Sequence, residues 1–337
     1  KKKQKKKNMK TIIIAEAGVN HDGKLQKAFR LVDAAKLAGA DYVKFQTFIP
    51  DEMITRRAQS ANYQKKNTKQ KNQYQILKKL FLSFKDQKTL FNYCKKKKIK
   101  FLSTAFDLKS LEFLLNLGID YIKIPSGEIT NYSLLKKISK INKKVILSTG
   151  ASTFKEITAA VKILKLKNSF LTIMHCNSAY PTPLKDVNLN VLREIQKKYN
   201  CSVGYSDHTL SLAVPVGAVA LGAKFIEKHF TLSRKLKGPD HNSSLEPHEF
   251  TQMTKLIREI EISKGGSKKI ITKSELENRK IIRKSIVASE FIKKGESINK
   301  KNITFKRPGD GISPMSQKDV LGKKAIKNFY KDEKIRI

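Results

Sequence analysis

Cysteine is scarce in this chain. Cys94, Cys176 and Cys201 are the only three in 337 residues, too few and too scattered for a disulfide framework or a zinc cluster. A reducing cytoplasm is therefore the natural setting. Long apolar runs are missing as well: none approaches the roughly 18 residues needed to cross a bilayer. Acidic residues are few, 29 against 70 Lys and Arg, which leaves a net charge of +41. A charge of that size ordinarily points to nucleic acid or a membrane surface. Here the lysines are spread over helix-like and loop segments, among them 95–98, 136–137, 197–198 and 268–269. Few aromatics lie between them to stack bases, and no zinc-finger or RNA-recognition signature is present. The composition reads as a solvated basic surface that can attract an anionic substrate. Neither nucleic acid nor membrane is expected as a partner, and a charge-driven nucleic-acid binder is kept as the remote alternative. The basic stretch at 1–9 is followed by no apolar segment with a cleavage site, so it makes a poor signal peptide. It is expected to be a disordered tail, with the fold starting near Lys10.

What the chain has is a rhythm. Eight times, a short β-branched or aromatic run ends in polar, chemically useful residues and a helix-like stretch follows. The runs are 11–16, 41–46, 100–104, 121–126, 145–149, 171–177, 201–208 and 225–229. Continuous apolar runs suit strands buried on both faces, and their alternation with helical segments implies a parallel sheet. Eight units predict a closed (β/α)8 TIM barrel, with its chemistry at the C-terminal strand ends where the polar residues fall. Helical spacing is expected over 25–37, 108–117, 133–141, 154–164, 189–199, 211–221 and 247–262. The long connection 49–98 reads, in its polar first half, as an inserted loop at the catalytic face. The barrel is expected to occupy 10–263 and a linker 264–280, helical from Ser274 to Lys280. A small domain with short β-like pieces is expected over 281–337, its core marginal on its own.

Alternation in the strands selects the candidate residues. Lys44 and Gln46 are two apart and share a face, as do Glu227 and His229. A barrel interior is normally filled by branched aliphatics, so such residues pointing inward need a purpose. Lys44 and Lys123, with the hydroxyls of Thr104, Ser126, Ser148 and Ser206, would make an electropositive floor suited to a phosphate and a carboxylate together. His208 and His229 follow neighbouring strands and can share a divalent cation, although each alone reads equally well as a structural histidine. Glu16 and Glu128 are the carboxylates best placed for proton handling or for holding substrate hydroxyls.

The matching stretches make the pattern specific. They include Ala15-Glu16-Ala17-Gly18-Val19-Asn20-His21, Lys44-Phe45-Gln46-Thr47, Lys123-Ile124-Pro125-Ser126-Gly127-Glu128, Gly204-Tyr205-Ser206-Asp207-His208, Phe225-Ile226-Glu227-Lys228-His229, Gly238-Pro239-Asp240-His241 and Arg307-Pro308-Gly309-Asp310-Gly311. In these motifs, spread over nearly the whole chain after Lys10, the sequence closely resembles the bacterial sialic acid synthase family. The resemblance implies condensation of phosphoenolpyruvate with the open-chain aldehyde of an N-acetylated amino sugar. N-acetylmannosamine, giving N-acetylneuraminate, is the first expectation. A 2,4-diacetamido-2,4,6-trideoxymannose, giving N,N'-diacetyllegionaminate, is the alternative. It also implies phosphoenolpyruvate binding by Lys44, Thr104, Lys123, Ser126, Ser148 and Ser206, and sugar binding by Glu16, Gln46, Glu128, Tyr180, Asp240 and Arg307. Glu16, Lys44, Lys123 and Glu128 would be catalytic, and His208 and His229 would hold Mn2+ or Mg2+. By the same resemblance the C-terminal domain looks like an antifreeze-like (SAF) domain that covers the partner's barrel in a domain-swapped homodimer, bringing Arg307 with it. Asp22 departs from the family pattern, which usually has asparagine there. Its extra charge would either adjust the site or cap the next helix.

Overall fold

A computed structural model describes residues 10–337; the expected basic tail lies outside the described residues. Eight parallel strands close into a barrel in sequential order: β1 Ile12–Gly18, β2 Tyr42–Thr47, β3 Lys100–Ala105, β4 Tyr121–Ile124, β5 Lys144–Ser148, β6 Leu171–Cys176, β7 Ser202–Asp207 and β8 Phe225–His229. Outward-facing residues such as Ile13, Ala15, Val43, Phe45, Ile122 and Ile173 pack with the surrounding helices into the main core. Inward-facing residues fall into two layers. The lower layer is apolar: Ile14, Tyr42, Leu102, Ile146, Met174 and Phe225 close the barrel's floor. Two residues further along the same strands the layer turns polar, because the period of two returns Glu16, Lys44, Thr104, Ser148, Cys176 and Glu227 to the interior. On β7, Gly204 leaves space for that floor; a Cβ there would lie 2.9 Å from Phe225 on β8.

Helices link the strands where periodicity placed them, for example Leu25–Leu37, Leu108–Leu117 and Phe154–Leu164. The first ends at Gly39 with φ +82°, a conformation glycine adopts without strain. The expected inserted loop is corrected: its polar half contains a helix, Asn62–Thr68, and Gln73–Leu80 and Phe84–Lys96 follow. The polar helix is fixed locally rather than by an apolar face. Ala61 N–H donates to Gln64 Oε1 at 3.1 Å, and Lys69 ends the helix in a left-handed conformation. The next helix does carry an apolar face, and Ile76, Leu77 and Leu80 join Val19 and Phe48 in a separate cluster at the barrel's mouth.

The chain divides into two compact units, one ending at Gly265 and the other running from Gly266 to Ile337. The second begins with the helix Lys273–Ile282, opened by a Thr272/Glu275 capping box. It continues through an antiparallel pair, β9 Ser285–Ala288 and β10 Ile303–Lys306. Ile286, Ile292, Ile298, Val320 and Phe329 belong to a small core of its own. Among the described residues, no helix is long and apolar enough to cross a membrane.

Candidate active site

The polar layer opens into a cavity of about 260 Å3 at the C-terminal ends of the strands. Strand register builds it. Glu16 on β1 lies opposite Lys44 on β2 and His229 on β8, Thr104 opposite Lys123, and Ser206 opposite Glu227. Lys44 Nζ sits 2.8 Å from Glu16 Oε2 and 3.5 Å from Glu227 Oε1, and donates to Thr104 Oγ1 at 3.0 Å. Lys123 Nζ lies 3.6 Å from Glu227 Oε1 and donates to Ser148 Oγ at 2.6 Å. Ser206 completes the cluster by donating to Glu227 Oε1 at 3.2 Å. Ser126, just after β4, accepts from the Gly150 N–H at 2.8 Å and lies 3.2 Å from Cys176 Sγ.

Two carboxylates in this layer behave oppositely. Burial pushes Glu16 up to about 7, and Lys44 only partly offsets it. Burial also works against the charge of Glu227, but Lys123, Lys44 and the hydrogen bond from Ser206 are among the groups that hold that carboxylate below its ordinary range. Glu16 is thus the group able to exchange a proton near neutrality, and Glu227 a standing anion. The sequence marks Glu227 by its inward face alone, without a role in the site. The same two-residue spacing that pairs it with His229, read against Lys44 and Lys123, is the signal that could have found it.

His208 and His229 meet on the far side of the cavity with ring centroids 5.3 Å apart, and Tyr180 packs on both. Burial lowers the pKa of His208 and, more strongly, that of His229, so both are neutral imidazoles with a lone pair to give. His208 Nδ1 donates to the Asn177 carbonyl at 2.5 Å, which leaves Nε2 unprotonated. His229 Nδ1 is buried with no hydrogen-bond partner. An orphaned ring nitrogen beside a second neutral imidazole fits a divalent cation. No cluster of three or more His, Cys, Asp or Glu ligands exists among the described residues, so water or substrate would fill the remaining positions.

Gln46 donates to Glu16 Oε1 at 3.3 Å, and Tyr180 and Asp240 also line the cavity. Burial pushes Asp240 up to about 6. Glu128, on the short turn Ser126–Glu128, does not line the cavity, and its Oε2 accepts from Asn131 Nδ2 at 2.6 Å. Arg307 is exposed in the second unit. Asp22 does not cap the following helix, whose N-cap is Lys24. Instead it pairs with Lys27 and accepts from His241 Nε2 at 3.1 Å, while His241 Nδ1 accepts from Thr231 Oγ1 at 2.7 Å. That chain of contacts fixes the residue next to Asp240. His21 and His175 are likewise structural: the first accepts from Gly23 N at 3.1 Å, the second bonds the Val187 carbonyl at 2.8 Å.

The model of the NeuB family matches residues 31–269, and that of the SAF domain residues 283–337. This chain belongs to the NeuB family. It is 47% identical to an N,N'-diacetyllegionaminic acid synthase of Campylobacter jejuni over 97% of this chain and 99% of that one. A protein of the same name from Legionella pneumophila is 40% identical over 96% and 92%. Among solved structures, the N-acetylneuraminic acid synthetase of Leptospira borgpetersenii in complex with citrate aligns with a TM-score of 0.72 and 35% identity, covering 80% of this chain and 90% of that one. This NeuB-family chain is therefore a carbon–carbon bond-forming condensing enzyme of sialic acid-type biosynthesis, built as a (β/α)8 barrel followed by a SAF domain.

Proposed function

We propose that the enzyme condenses phosphoenolpyruvate, water and 2,4-diacetamido-2,4,6-trideoxymannose into N,N'-diacetyllegionaminate and phosphate. The observation that carries the choice of sugar is the 47% identity, over nearly the full length of both chains, to the Campylobacter protein of that name. The first expectation from the sequence, N-acetylmannosamine, yields to this alternative. The cavity gives independent support. One wall, from Val19, Met53, Ile76, Leu77, Leu80 and Phe106, is apolar. It suits a deoxy carbon bearing only hydrogen and would leave a hydroxyl without a partner. On the same side Gln64 and Gln73 bring carboxamides that can pair with an acetamido group.

Lys44, Lys123, Thr104, Ser126, Ser148 and Ser206 bind the carboxylate and phosphate of phosphoenolpyruvate. With Glu16 protonated, two ammonium groups face one carboxylate, Glu227, and the floor is left positive for the incoming anion. Carbon 3 of the enol attacks the sugar aldehyde, whose oxygen takes a proton from Glu16 as the new bond forms. Water adds at carbon 2 and returns a proton to Glu16. The resulting centre breaks its bond to phosphate, which departs with the hydroxyl proton and leaves the 2-keto acid. Gln46, Tyr180 and Asp240 hold the sugar, with Glu128 as a further contact once substrate is bound. His208 and His229 would hold a divalent cation, Mn2+ or Mg2+, which when bound would supply Lewis-acid polarisation of the aldehyde.

In a domain-swapped homodimer the SAF domain of one chain would bring Arg307 to the sugar bound by the other. The helix Lys273–Ile282 has no buried residue, and Leu276, Ile281 and Ile282 are exposed on it, which supports a covered role in an assembly. Replacing Arg307 with Ala is expected to raise KM for the sugar about tenfold or more, as for loss of a charged hydrogen bond, with KM for phosphoenolpyruvate unchanged. The three cysteines are free and buried, in keeping with a reducing cytoplasm.

The deciding experiment is phosphate release from phosphoenolpyruvate with each sugar, before and after chelation. A preference above tenfold for the trideoxy sugar, lost with chelator and restored by Mn2+, is expected. Faster release with N-acetylmannosamine would reverse the choice of sugar, and release without any sugar would refute the condensation.

A further inference from the structure

Behind His208 and His229, on the helix-facing side of the same two strands, lies a second charged cluster. Strand register sets Asp207 of β7 opposite Lys228 of β8. Alternation turns both outward while their neighbours His208 and His229 line the cavity. Lys228 Nζ donates to Asp207 Oδ2 at 2.5 Å and to the Thr209 carbonyl, with Thr209 Oγ1 at 3.4 Å and the Ser211 carbonyl at 3.5 Å. Asp207 in turn accepts from Thr209 N at 2.9 Å and from Thr209 Oγ1 at 3.3 Å. Both side chains of the pair are 0% exposed.

Stability alone gives no reason to keep such a pair. Removing two ions from water costs as much as their attraction returns, and apolar replacements of buried pairs are often neutral or stabilising. Its effect is geometric. Lys228 ties β8, which carries His229, to the turn 207–211, which carries His208. On the cavity side His229 Nδ1 has no hydrogen bond to hold its ring, so the placement of that ring follows the placement of its strand.

We propose that the Asp207–Lys228 pair is a positioning latch that fixes the separation of His208 and His229 and so sets the enzyme's affinity for a divalent cation. The inference rests on the reading of those histidines as metal ligands, and its test separates the two. Mn2+ is titrated into the metal-free full-length protein and free Mn2+ is followed by electron paramagnetic resonance, with phosphoenolpyruvate affinity and melting temperature measured alongside. The variants are His229→Ala and the double substitution Asp207→Asn with Lys228→Met, which removes both charges yet keeps an acceptor for Thr209 N. The expected result is Mn2+ binding by the wild type, its loss in His229→Ala, and a roughly tenfold or greater weakening in the double variant. Phosphoenolpyruvate affinity should stay within about twofold, as the latch faces away from the floor.

Wild-type Mn2+ affinity in the double variant would overturn the latch while leaving the histidine assignment standing. Mn2+ binding by neither protein would overturn both. A parallel loss of Mn2+ and phosphoenolpyruvate binding with a collapsed melting temperature would reduce the pair to an ordinary structural contact and overturn the proposal. Should the double variant fail to fold, Thr209→Val decides. It removes the hydroxyl that donates to Asp207 at 3.3 Å and also accepts from Ser211 N at 3.1 Å, and is expected to weaken Mn2+ roughly threefold or more; an unchanged affinity would overturn the latch.

Discussion

The wall formed by β7 and β8 buries charge on both faces, and the two faces treat it differently. Outside, Lys228 and Asp207 satisfy each other and the turn beside them, with no polar atom of either left unpartnered. Inside, Glu227 Oε2 and His229 Nδ1 are buried without partners, Glu16 is pushed up to about 7, and two lysines and a serine hydroxyl share Glu227 Oε1. A closed network specifies geometry. An open one, at the mouth of a cavity, is incomplete until something binds. The contrast separates a structural charge from a functional one within a few ångströms of the same backbone.

The largest effect that sharpens the contrast is on stability. Lys228→Met alone strands a buried carboxylate and should cost about 3–5 kcal/mol, read as a shift of the urea midpoint. A shift under about 1 kcal/mol would mean the outer pair is not closed at all. On the inner face, Lys123→Ala should lower kcat/KM for phosphoenolpyruvate by about 10²–10³-fold, the loss seen when one donor to a developing anion is removed. Its melting temperature should fall little, because Glu227 keeps Lys44 at 3.5 Å and Ser206 at 3.2 Å as partners. Hydroxyls repeat the pattern on a smaller scale. Ser148→Ala should raise KM for phosphoenolpyruvate by a factor equivalent to about 1 kcal/mol, whereas Thr209→Val should cost about 1 kcal/mol of stability and leave that KM alone.

The subtlest test is pH. Glu16 donates its proton only while protonated, and its protonated fraction falls as pH rises through about 7. An alkaline limb in kcat/KM near that value is therefore expected, and Glu16→Gln should remove the limb along with most activity. A limb that persists in the glutamine variant would assign the proton to another group, Asp240 among them.

The sequence carried the barrel well because strands buried on both faces leave a mark that survives without neighbours: Val145, Ile146 and Leu147 can hardly lie elsewhere. The inward lysines were legible for the same reason, since a period of two needs only one strand. Contacts between strands were not. Asp207 and Lys228 lie 21 residues apart, and their pairing depends on register, which single-strand alternation does not fix. The polar helix Asn62–Thr68 was hidden because its stability comes from local capping, with no apolar stripe to show the period. Asp22 offered a cap by residue type. The fold gave it to Lys27 and His241 instead, a tertiary contact across 219 residues.

The central claim is that the inner charges exist for substrate and the outer ones for shape. Calorimetric titration of phosphoenolpyruvate into Lys123→Met and into the Asp207→Asn/Lys228→Met variant tests it most directly, because each exchanges a buried lysine for an apolar chain of similar length. The prediction is a loss of at least tenfold in affinity for the first, as for one charged hydrogen bond, and a change within about twofold for the second. Equal losses in both, or a larger loss in the outer-face variant, would contradict the account.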